Sequence, residues 1–334
     1  MKKVCLFLLC TLIAVSAFAG GKKDAAAGGA VKIGVAIPSA DHGWTGGIGW
    51  WANHKVDEIN KASPGKYEFR VVLAATPQEQ VGQVESLLQW GIQYLVILPH
   101  EAAPLTPIMK QAHDQGIKII AVDRGIEPDN FGCIYMAGDN AQMGTLSGQW
   151  LAKTMKAEGL TTYIAIGGMP IPIDTERMGG FFPEMNKEAS LVPLLGRDKY
   201  EFCDFQAQKA LALMQTYFQQ YPKIDAVFCQ DDDALQGVLQ AIREAGRTDI
   251  KIVLGGAGSK PVYEMIMKND PLVRATTLYH PSMIADGIQY AVDVASGAKS
   301  DGFHTGSKSV PVKVPSALID KANVNQYYQP DSPF

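Results

Sequence analysis

Asp123 and Arg124 are adjacent charged residues that follow the apolar stretch 119–122 and precede Gly125. A short β-branched stretch bounded by turn residues predicts a buried strand of a parallel sheet. Ligands of open α/β sheets bind beyond the carboxyl ends of the strands, so we expect the pair at the rim of a cleft. One side chain accepts hydrogen bonds and the other donates several, which suits the hydroxyls of a polyol. A salt bridge at the end of the strand explains the two residues equally well.

Two further charged positions fall at the predicted starts of helices. Arg177 begins a helix predicted over about 175–187, where a cation is unfavourable unless it has a specific partner. An anionic or hydroxyl partner would explain it, and a solvated arginine on the helix face is the alternative. Asp231, Asp232 and Asp233 open a second helix, and one of them is expected to be its N-cap. A metal site is the third interpretation of this acidic cluster.

Length and composition indicate a soluble protein of two domains. The chain has 334 residues, and domains typically contain about 100–200 residues. It is 47% hydrophobic and 19% charged, as is usual for globular proteins. Its formal net charge is −4, so there is no basic excess to bind nucleic acid.

The N-terminus has the pattern of a secretory signal peptide. Lys2 and Lys3 precede an apolar stretch over 4–15, and Ala17-Phe18-Ala19 has the small-x-small form of a cleavage site. We therefore predict a cleaved signal over 1–19, a flexible tether over 20–30 and a location in the periplasm. A retained membrane anchor is the alternative.

The cysteines do not indicate a disulfide framework or a metal site. Cys133, Cys203 and Cys229 follow the predicted signal, and an odd number argues against a paired set. Cys133 and Cys229 are interpreted as small buried apolar residues, and a bridge between Cys203 and Cys229 stays open. No cysteine and histidine pairs have metal-ligand spacing, so no metal and no cofactor is expected.

Strands and helices alternate along the rest of the chain. The first strand is predicted over 31–38, followed by a glycine-rich loop over 39–47 and a helix. Thr76, Pro77 and Glu79 form a complete helix start, with an N-cap, a first-turn proline and a capping glutamate. About ten strands recur between helices of 10–15 residues, which predicts an α/β fold with two doubly wound parallel-sheet lobes.

Four patches resemble one family, the periplasmic sugar-binding proteins of ABC importers of the ribose/galactose type (type I). They are Val122-Asp123-Arg124; Gly138-Asp139-Asn140 with Gly144; Glu176-Arg177 with Gly179, Gly180 and Phe181; and Phe228-Cys229-Gln230-Asp231-Asp232 with Gly237. Each is weak alone, but all four occur in the expected order across the chain. The resemblance implies a hinge of three crossings, near Gly138, Tyr279 and Lys308. The N-lobe would be 31–137 with 280–308, and the C-lobe 138–279 with 309–334.

The resemblance also implies a set of ligand-binding residues. It comprises His42, Trp44, Asp123, Arg124, Arg177, Phe205 and Asp231. Trp44 and Phe205 would be aromatic plates and His42 a hydrogen-bonding group. Core residues at helix starts are the alternative for the two aromatics, and an exposed histidine is the alternative for His42. Because Asp231 matches a ligand-facing position, we assign the helix cap to Asp232 or Asp233. The chain departs from the family pattern at Ala207, Ala257 and Tyr279. Tyr279 is added to the ligand set as a replacement hydrogen-bond donor, together with its neighbour His280.

From this resemblance we predict that the protein captures a pentose, hexose or sugar alcohol by hinge closure and delivers it to an ABC permease. The chain is expected to be a monomer. A sensor that presents the ligand to a chemoreceptor or kinase fits the same residues. An enzyme is disfavoured because the chain has no G-x-S-x-G elbow, no P-loop and no G-x-G-x-x-G after the first strand.

Overall fold

The computed structural model describes residues 29–40 and 43–334. The predicted signal peptide, most of the predicted tether and His42 lie outside the described residues. Within them, no helix has both the length and the apolar character that a membrane crossing requires.

The first lobe is built on a parallel sheet with helices on both faces. Its chain elements are β1 (Val31–Pro38), α1 (Gly43–Ala62), β2 (Tyr67–Ala74), α2 (Pro77–Trp90), β3 (Tyr94–Ile97), α3 (Ala102–Asp114), β4 (Lys118–Val122) and β5 (Ile134–Gly138). Alternate residues of β1 enter different apolar clusters, with Ile33 and Val35 in one and Ala36 in the other. Parallel strands of this kind are apolar throughout because both of their faces are covered.

The second lobe repeats the arrangement. Its elements are α4 (Asn140–Ala157), β6 (Thr162–Gly167), α5 (Pro172–Met185), β7 (Val192–Pro193), β8 (Glu201–Phe202), α6 (Ala207–Gln220), β9 (Ala226–Cys229), α7 (Asp232–Ala245), β10 (Ile252–Ala257), α8 (Lys260–Met267) and β11 (Ala275–Leu278). The predicted α/β fold of two parallel-sheet lobes is confirmed.

The last α-helix and the last two strands are divided between the lobes. They are α9 (Met283–Ala295), β12 (Val310–Val314) and β13 (Leu318–Asp320). Helix α9 and strand β12 belong to the first lobe and β13 to the second. Among the described residues the first sheet has the order β12-β5-β4-β3-β1-β2, and the second β13-β11-β10-β9-β6-β7 with β8 beside β6. Only β13 is antiparallel to its neighbour in these pairings.

The third crossing lies later than the sequence predicted. Strand β12 pairs with β5, with Val310 opposite Ile134 and Val314 opposite Gly138. The chain therefore stays in the first lobe through Val314, and the boundary placed at residue 308 is wrong. The predicted crossings at Gly138 and Tyr279 follow the ends of β5 and β11.

The last residue, Phe334, packs against the first lobe, although the sequence placed it in the second. Phe334 is 5% exposed and belongs to the apolar cluster around α1. A Cβ on Gly47 would lie 2.9 Å from Cβ of Phe334 and 2.6 Å from Cγ of Pro281, so this approach needs glycine. The structure also changes the predicted glycine-rich loop over 39–47. Helix α1 begins at Gly43, so residues 43–47 form its first turn.

The start of α2 is a local feature that the sequence predicted in detail. The Thr76 hydroxyl accepts a hydrogen bond from the amide of Glu79 (3.1 Å), and Pro77 opens the helix. The Glu79 carboxylate accepts one from the amide of Ala75 (2.7 Å). These bonds satisfy backbone donors that a helix start leaves free.

The cysteines within the described residues are separate thiols. Cys133, Cys203 and Cys229 are all free and buried, so the bridge left open between the last two is not formed. Burial raises the pKa of the Cys133 thiol to about 12, which keeps it protonated. This supports the interpretation of Cys133 and Cys229 as small apolar core residues, and Cys203 is buried in the same way.

Candidate functional site

Tyr279 is the residue around which the predicted ligand residues meet. Its hydroxyl donates a hydrogen bond to Oδ1 of Asp123 (2.6 Å). Its carbonyl accepts one from the indole Nε1 of Trp44 (2.9 Å). The guanidinium carbon of Arg177 lies 4.5 Å from the centroid of its ring. The hinge residue therefore joins side chains of both lobes at one point.

Asp123 and Arg124 follow β4, as the sequence predicted. Asp123 is 6% exposed, and its Oδ2 lies 3.7 Å from Nε of Arg124. Arg124 also donates from Nη1 to the carbonyls of Pro99 (3.3 Å) and His100. The two side chains therefore form the salt bridge that was one of the two predicted interpretations. It does not use all the donors of Arg124, whose side chain is 38% exposed at the rim.

Arg177 is a buried member of the site rather than a solvated residue on a helix face. Its side chain is among the buried polar groups, at 5% exposure. Nε donates to Oδ1 of Asn140 (2.9 Å) and Nη1 to the carbonyl of Gln230 (3.1 Å). The guanidinium thus links the start of α4, the helix α5 that carries it and the end of β9.

Glycines let α4 and α5 approach closely enough for this link. A Cβ on Gly144 would lie 1.8 Å from the backbone carbonyl oxygen of Arg177. A Cβ on Gly180 would lie 2.2 Å from the carbonyl oxygen of Ala141. Gly144 and Gly180, which belong to two different sequence patches, therefore allow the helix packing that positions Arg177.

The acidic cluster at α7 is arranged differently from our prediction. Oδ1 of Asp231 accepts from the amides of Asp233 (2.8 Å) and Ala234 (3.1 Å), so Asp231 is the N-cap. Asp232 is instead buried, and its Oδ2 accepts from the amides of Gly258 (3.0 Å) and Ser259 (2.6 Å). The assignment of the cap to Asp232 or Asp233 was wrong. The second carboxylate oxygen of Asp231, Oδ2, accepts no hydrogen bond within the described part of the chain, so it is open to a ligand.

Phe205 lies at the rim of the second lobe. A Cβ on Gly168 would lie 1.9 Å from Cε1 of Phe205, so the ring covers the end of β6. Asp123, Phe205 and Ala257 have positive φ angles of 60°, 56° and 90°, a region that residues other than glycine seldom adopt. Such strain is common at binding sites. Asp123 directly follows β4, Ala257 ends β10, and Phe205 lies in the short loop between β8 and α6.

A buried polar network centred on Asp174 lies beneath Arg177, and its hydrogen bonds were not predicted. Oδ1 of Asp174 accepts from the amide of Gly168 (2.7 Å) and from Nε2 of Gln230 (2.6 Å), and Oδ2 accepts from the hydroxyl of Tyr200 (2.7 Å). Burial raises the pKa of Asp174. Oε1 of Gln230 has no partner among the described residues. Gln230 and Asn140 both stood in the sequence patches, but nothing in the pattern indicated that they hold Arg177.

His280 is turned toward α1. Its Nδ1 accepts from the amide of Ser282 (3.1 Å), and its ring lies 5.3 Å from that of Trp51 in an edge-on arrangement. Burial lowers the pKa of His280 to about 4. The neutral ring is therefore part of the hinge packing at neutral pH.

This burial predicts a pH dependence of stability. Between pH 6.5 and pH 4 the unfolded chain binds a proton at His280 that the folded chain does not, so the free energy of unfolding falls as the pH decreases. Going from pH 7.5 to pH 5.0 should cost about 2 kcal/mol through this group. Urea unfolding gives the free energy of unfolding of the wild type and of His280→Asn at both pH values. The pH-dependent loss in the wild type should exceed the loss in the variant by this amount. Equal pH responses in the two proteins would contradict it.

The site carries charges of both signs. Nε of Arg124 lies 3.7 Å from Oδ2 of Asp123, and the charge of Arg177 acts on Asp231. Burial, followed by the charge of Asp233, raises the pKa of Asp231 to about 6. No group of three or more histidine, cysteine or acidic side chains in the described residues could hold a metal ion. This donor and acceptor set suits a neutral ligand with several hydroxyls.

Comparisons with known proteins agree with this geometry. The family described as periplasmic binding protein domain matches residues 33–299. The D-xylose-binding periplasmic protein of Haemophilus influenzae is 25% identical over 290 residues, which cover 83% of this chain and 84% of that protein. The ribose import binding protein of Bacillus subtilis is 28% identical over 224 residues, covering 66% and 69%.

A solved structure shows the same architecture. The ABC transporter solute-binding protein of Mycobacterium smegmatis with bound glycerol has a TM-score of 0.70 and 27% identity, and the comparison covers 91% of this chain and 99% of that chain. Since the family match also spans far more than half of the sequence, this chain belongs to the periplasmic binding protein domain family.

Proposed function

We propose that this chain is an extracytoplasmic solute-binding protein that captures a monosaccharide or sugar alcohol between its lobes and delivers it to an ABC permease. The observation that carries the proposal is the meeting of Trp44 and Asp123 from the first lobe with Arg177 from the second around Tyr279. The relatives named above, which bind xylose or ribose according to their names, support a sugar as the ligand.

Closure about the hinge is the proposed mechanism. A ligand that contacts Asp123 and Arg124 on one lobe and Arg177 and Asp231 on the other binds the closed form better than the open form. Its binding energy therefore shifts the population toward closure. The closed form, acting as a monomer, is the form that we propose the permease recognises.

The proposal is tested by a thermal-shift screen over pentoses, hexoses and polyols. A ligand present at 100 times its Kd stabilises the folded state by about 2.7 kcal/mol, which raises the melting temperature measurably. Stabilisation by at least one of these sugars, with phosphorylated sugars and amino acids as comparison sets, is the expected result. A screen in which only charged solutes stabilise the protein would refute a neutral sugar as ligand.

Asp123→Ala should weaken binding of the sugar found in this screen by about 1–3 kcal/mol, which is roughly 5-fold to 150-fold in Kd. The reason is that ligand hydroxyls and the Tyr279 hydroxyl lose their acceptor in a buried place. Titration calorimetry measures the change. Glu85→Ala, which removes an exposed carboxylate from α2, is the control and should keep the wild-type Kd. An unchanged Kd in Asp123→Ala would exclude that residue from the ligand set.

A further inference from the structure

The position of Tyr279 bears on which sugar the site selects. Its hydroxyl donates to one oxygen of Asp123 at 2.6 Å, and both side chains are buried, at 5% and 6% exposure. That oxygen is an acceptor that a ligand hydroxyl would otherwise use. We propose that Tyr279 determines ligand specificity by standing in for one ligand hydroxyl at Asp123, so that the site prefers a deoxy sugar or deoxy polyol. This inference rests on the proposed function.

The Tyr279 ring is confined, so it cannot easily move aside for a ligand. A Cβ on Gly138 would lie 2.3 Å from Cε2 of the ring, which shows how closely the backbone of the first crossing approaches it. The guanidinium of Arg177 lies over the ring at 4.5 Å, and the Trp44 ring centroid is 6.1 Å away. The main chain is held as well, because the Tyr279 amide donates to the carbonyl of Ala257 (3.1 Å).

The direction of the hydrogen bond is also settled by the surroundings. Burial, followed by the charge of Asp123, raises the pKa of Tyr279 well above its ordinary value. The phenol is therefore protonated at physiological pH, and the carboxylate can only accept. Its proton is committed to Asp123 and is not available to a ligand.

The consequence for the ligand follows from counting acceptors. A carboxylate with two open oxygens can accept from two neighbouring hydroxyls of a sugar. In Asp123 the Tyr279 hydroxyl already uses one lone pair of Oδ1 and its ring stands beside that oxygen, so Oδ2, which lies 3.7 Å from Nε of Arg124, is the more open acceptor. A second ligand hydroxyl beside it would meet the neutral oxygen of the phenol, which accepts more weakly than a charged group. A CH₂ or CH₃ group at that position loses nothing and can contact the edge of the ring.

The experiment compares parent and deoxy sugars on the wild type and on Tyr279→Phe by titration calorimetry. The probes are D-ribose with 2-deoxy-D-ribose, and D-galactose with 2-deoxy-D-galactose and 6-deoxy-D-galactose. In the wild type at least one deoxy sugar should bind as tightly as its parent or more tightly. In Tyr279→Phe, Oδ1 of Asp123 is open, so the same parent should gain about 10-fold over its deoxy analogue, which corresponds to one charge-assisted hydrogen bond.

A control variant tests whether the change in the ratio of parent to deoxy affinity is specific to Tyr279 or follows from removing any buried phenol oxygen. Tyr217 is also buried, and its hydroxyl has no hydrogen-bond partner in the part of the chain described. Tyr217→Phe should therefore leave every ratio of affinities unchanged. The wild-type comparison needs no variant, so the proposal can still be judged if Tyr279→Phe does not fold.

The outcomes distinguish the two proposals. A wild type that binds every parent at least 10-fold more tightly than its deoxy analogues would overturn the specificity role of Tyr279, as would a ratio that Tyr279→Phe does not change. Either result would leave sugar binding itself intact. Failure of all five probes, together with a negative thermal-shift screen, would overturn both proposals.

Discussion

Replacing Arg177 by alanine is expected to weaken sugar binding by about 3 kcal/mol or more, which is at least roughly 100-fold in Kd. The guanidinium is buried and makes hydrogen bonds to Asn140 and to the carbonyl of Gln230. Its removal leaves both acceptors without this donor and takes away the positive charge that acts on Asp174 and Asp231. It also uncovers the face of the Tyr279 ring. Titration calorimetry with the sugar identified by thermal shift measures the loss.

Two further variants make the Arg177 result interpretable. Arg177→Lys keeps the charge but has no planar fork, so it cannot reproduce both hydrogen bonds and should bind with intermediate affinity. Arg243→Ala removes an exposed arginine from the last turn of α7 and should bind like the wild type. If Arg177→Ala binds within 3-fold of the wild type while folded, Arg177 is a structural residue only.

The largest expected effect on stability comes from Gly144→Val. The added Cβ would lie 1.8 Å from the backbone carbonyl oxygen of Arg177, and backbone cannot rotate away as a side chain can. The helices α4 and α5 must separate, at a cost of about 3 kcal/mol, the upper end of what overpacking usually costs. Urea unfolding measures the change. Because Arg177 moves with α5, the variant should also lose sugar affinity at temperatures where it remains folded.

Gly179→Ala is the matched control for this substitution, because the glycine is only two residues after Arg177. Apart from its chain neighbours and the nearby backbone of its own helix, no described atom lies within 4 Å of a Cβ at this position, and the residue is exposed on α5. Alanine loses less backbone entropy than glycine on forming a helix, so the variant should gain about 0.5–1 kcal/mol. Equal stabilities of Gly144→Val and Gly179→Ala would show that the close approach of the helices is not a constraint.

Features encoded by neighbouring residues could be predicted from the sequence. The helix start at Thr76 depends on three nearby residues, and the position of Asp123 depends on the apolar strand before it. Arg177 could be singled out because a cation at a helix start needs a partner. The identity of that partner could not be predicted, since Asn140 and Gln230 lie on other elements.

Features that depend on distant segments were predicted wrongly or missed. Asp232 looked like a suitable cap by its local position, but the amides of Gly258 and Ser259 attract its carboxylate and leave the cap to Asp231. Strand β12 carries no local signal of its lobe, because its partner β5 is separated from it by most of the second lobe and by α9. For the same reason the sequence could suggest Tyr279 as a donor but not its hydrogen bond to Asp123.

The late addition of β12 has a consequence for synthesis of the chain. Strand β5 leaves the ribosome long before Val310–Val314, its parallel neighbour at the edge of the sheet. At about 5–20 residues per second, the interval is on the order of 10–30 s. During it the row of amide and carbonyl groups along β5 is open to any extended segment nearby, as edge strands are. Incomplete chains that stop within the second lobe should therefore aggregate through this edge, and a holding chaperone that covers β5 would protect the nascent protein.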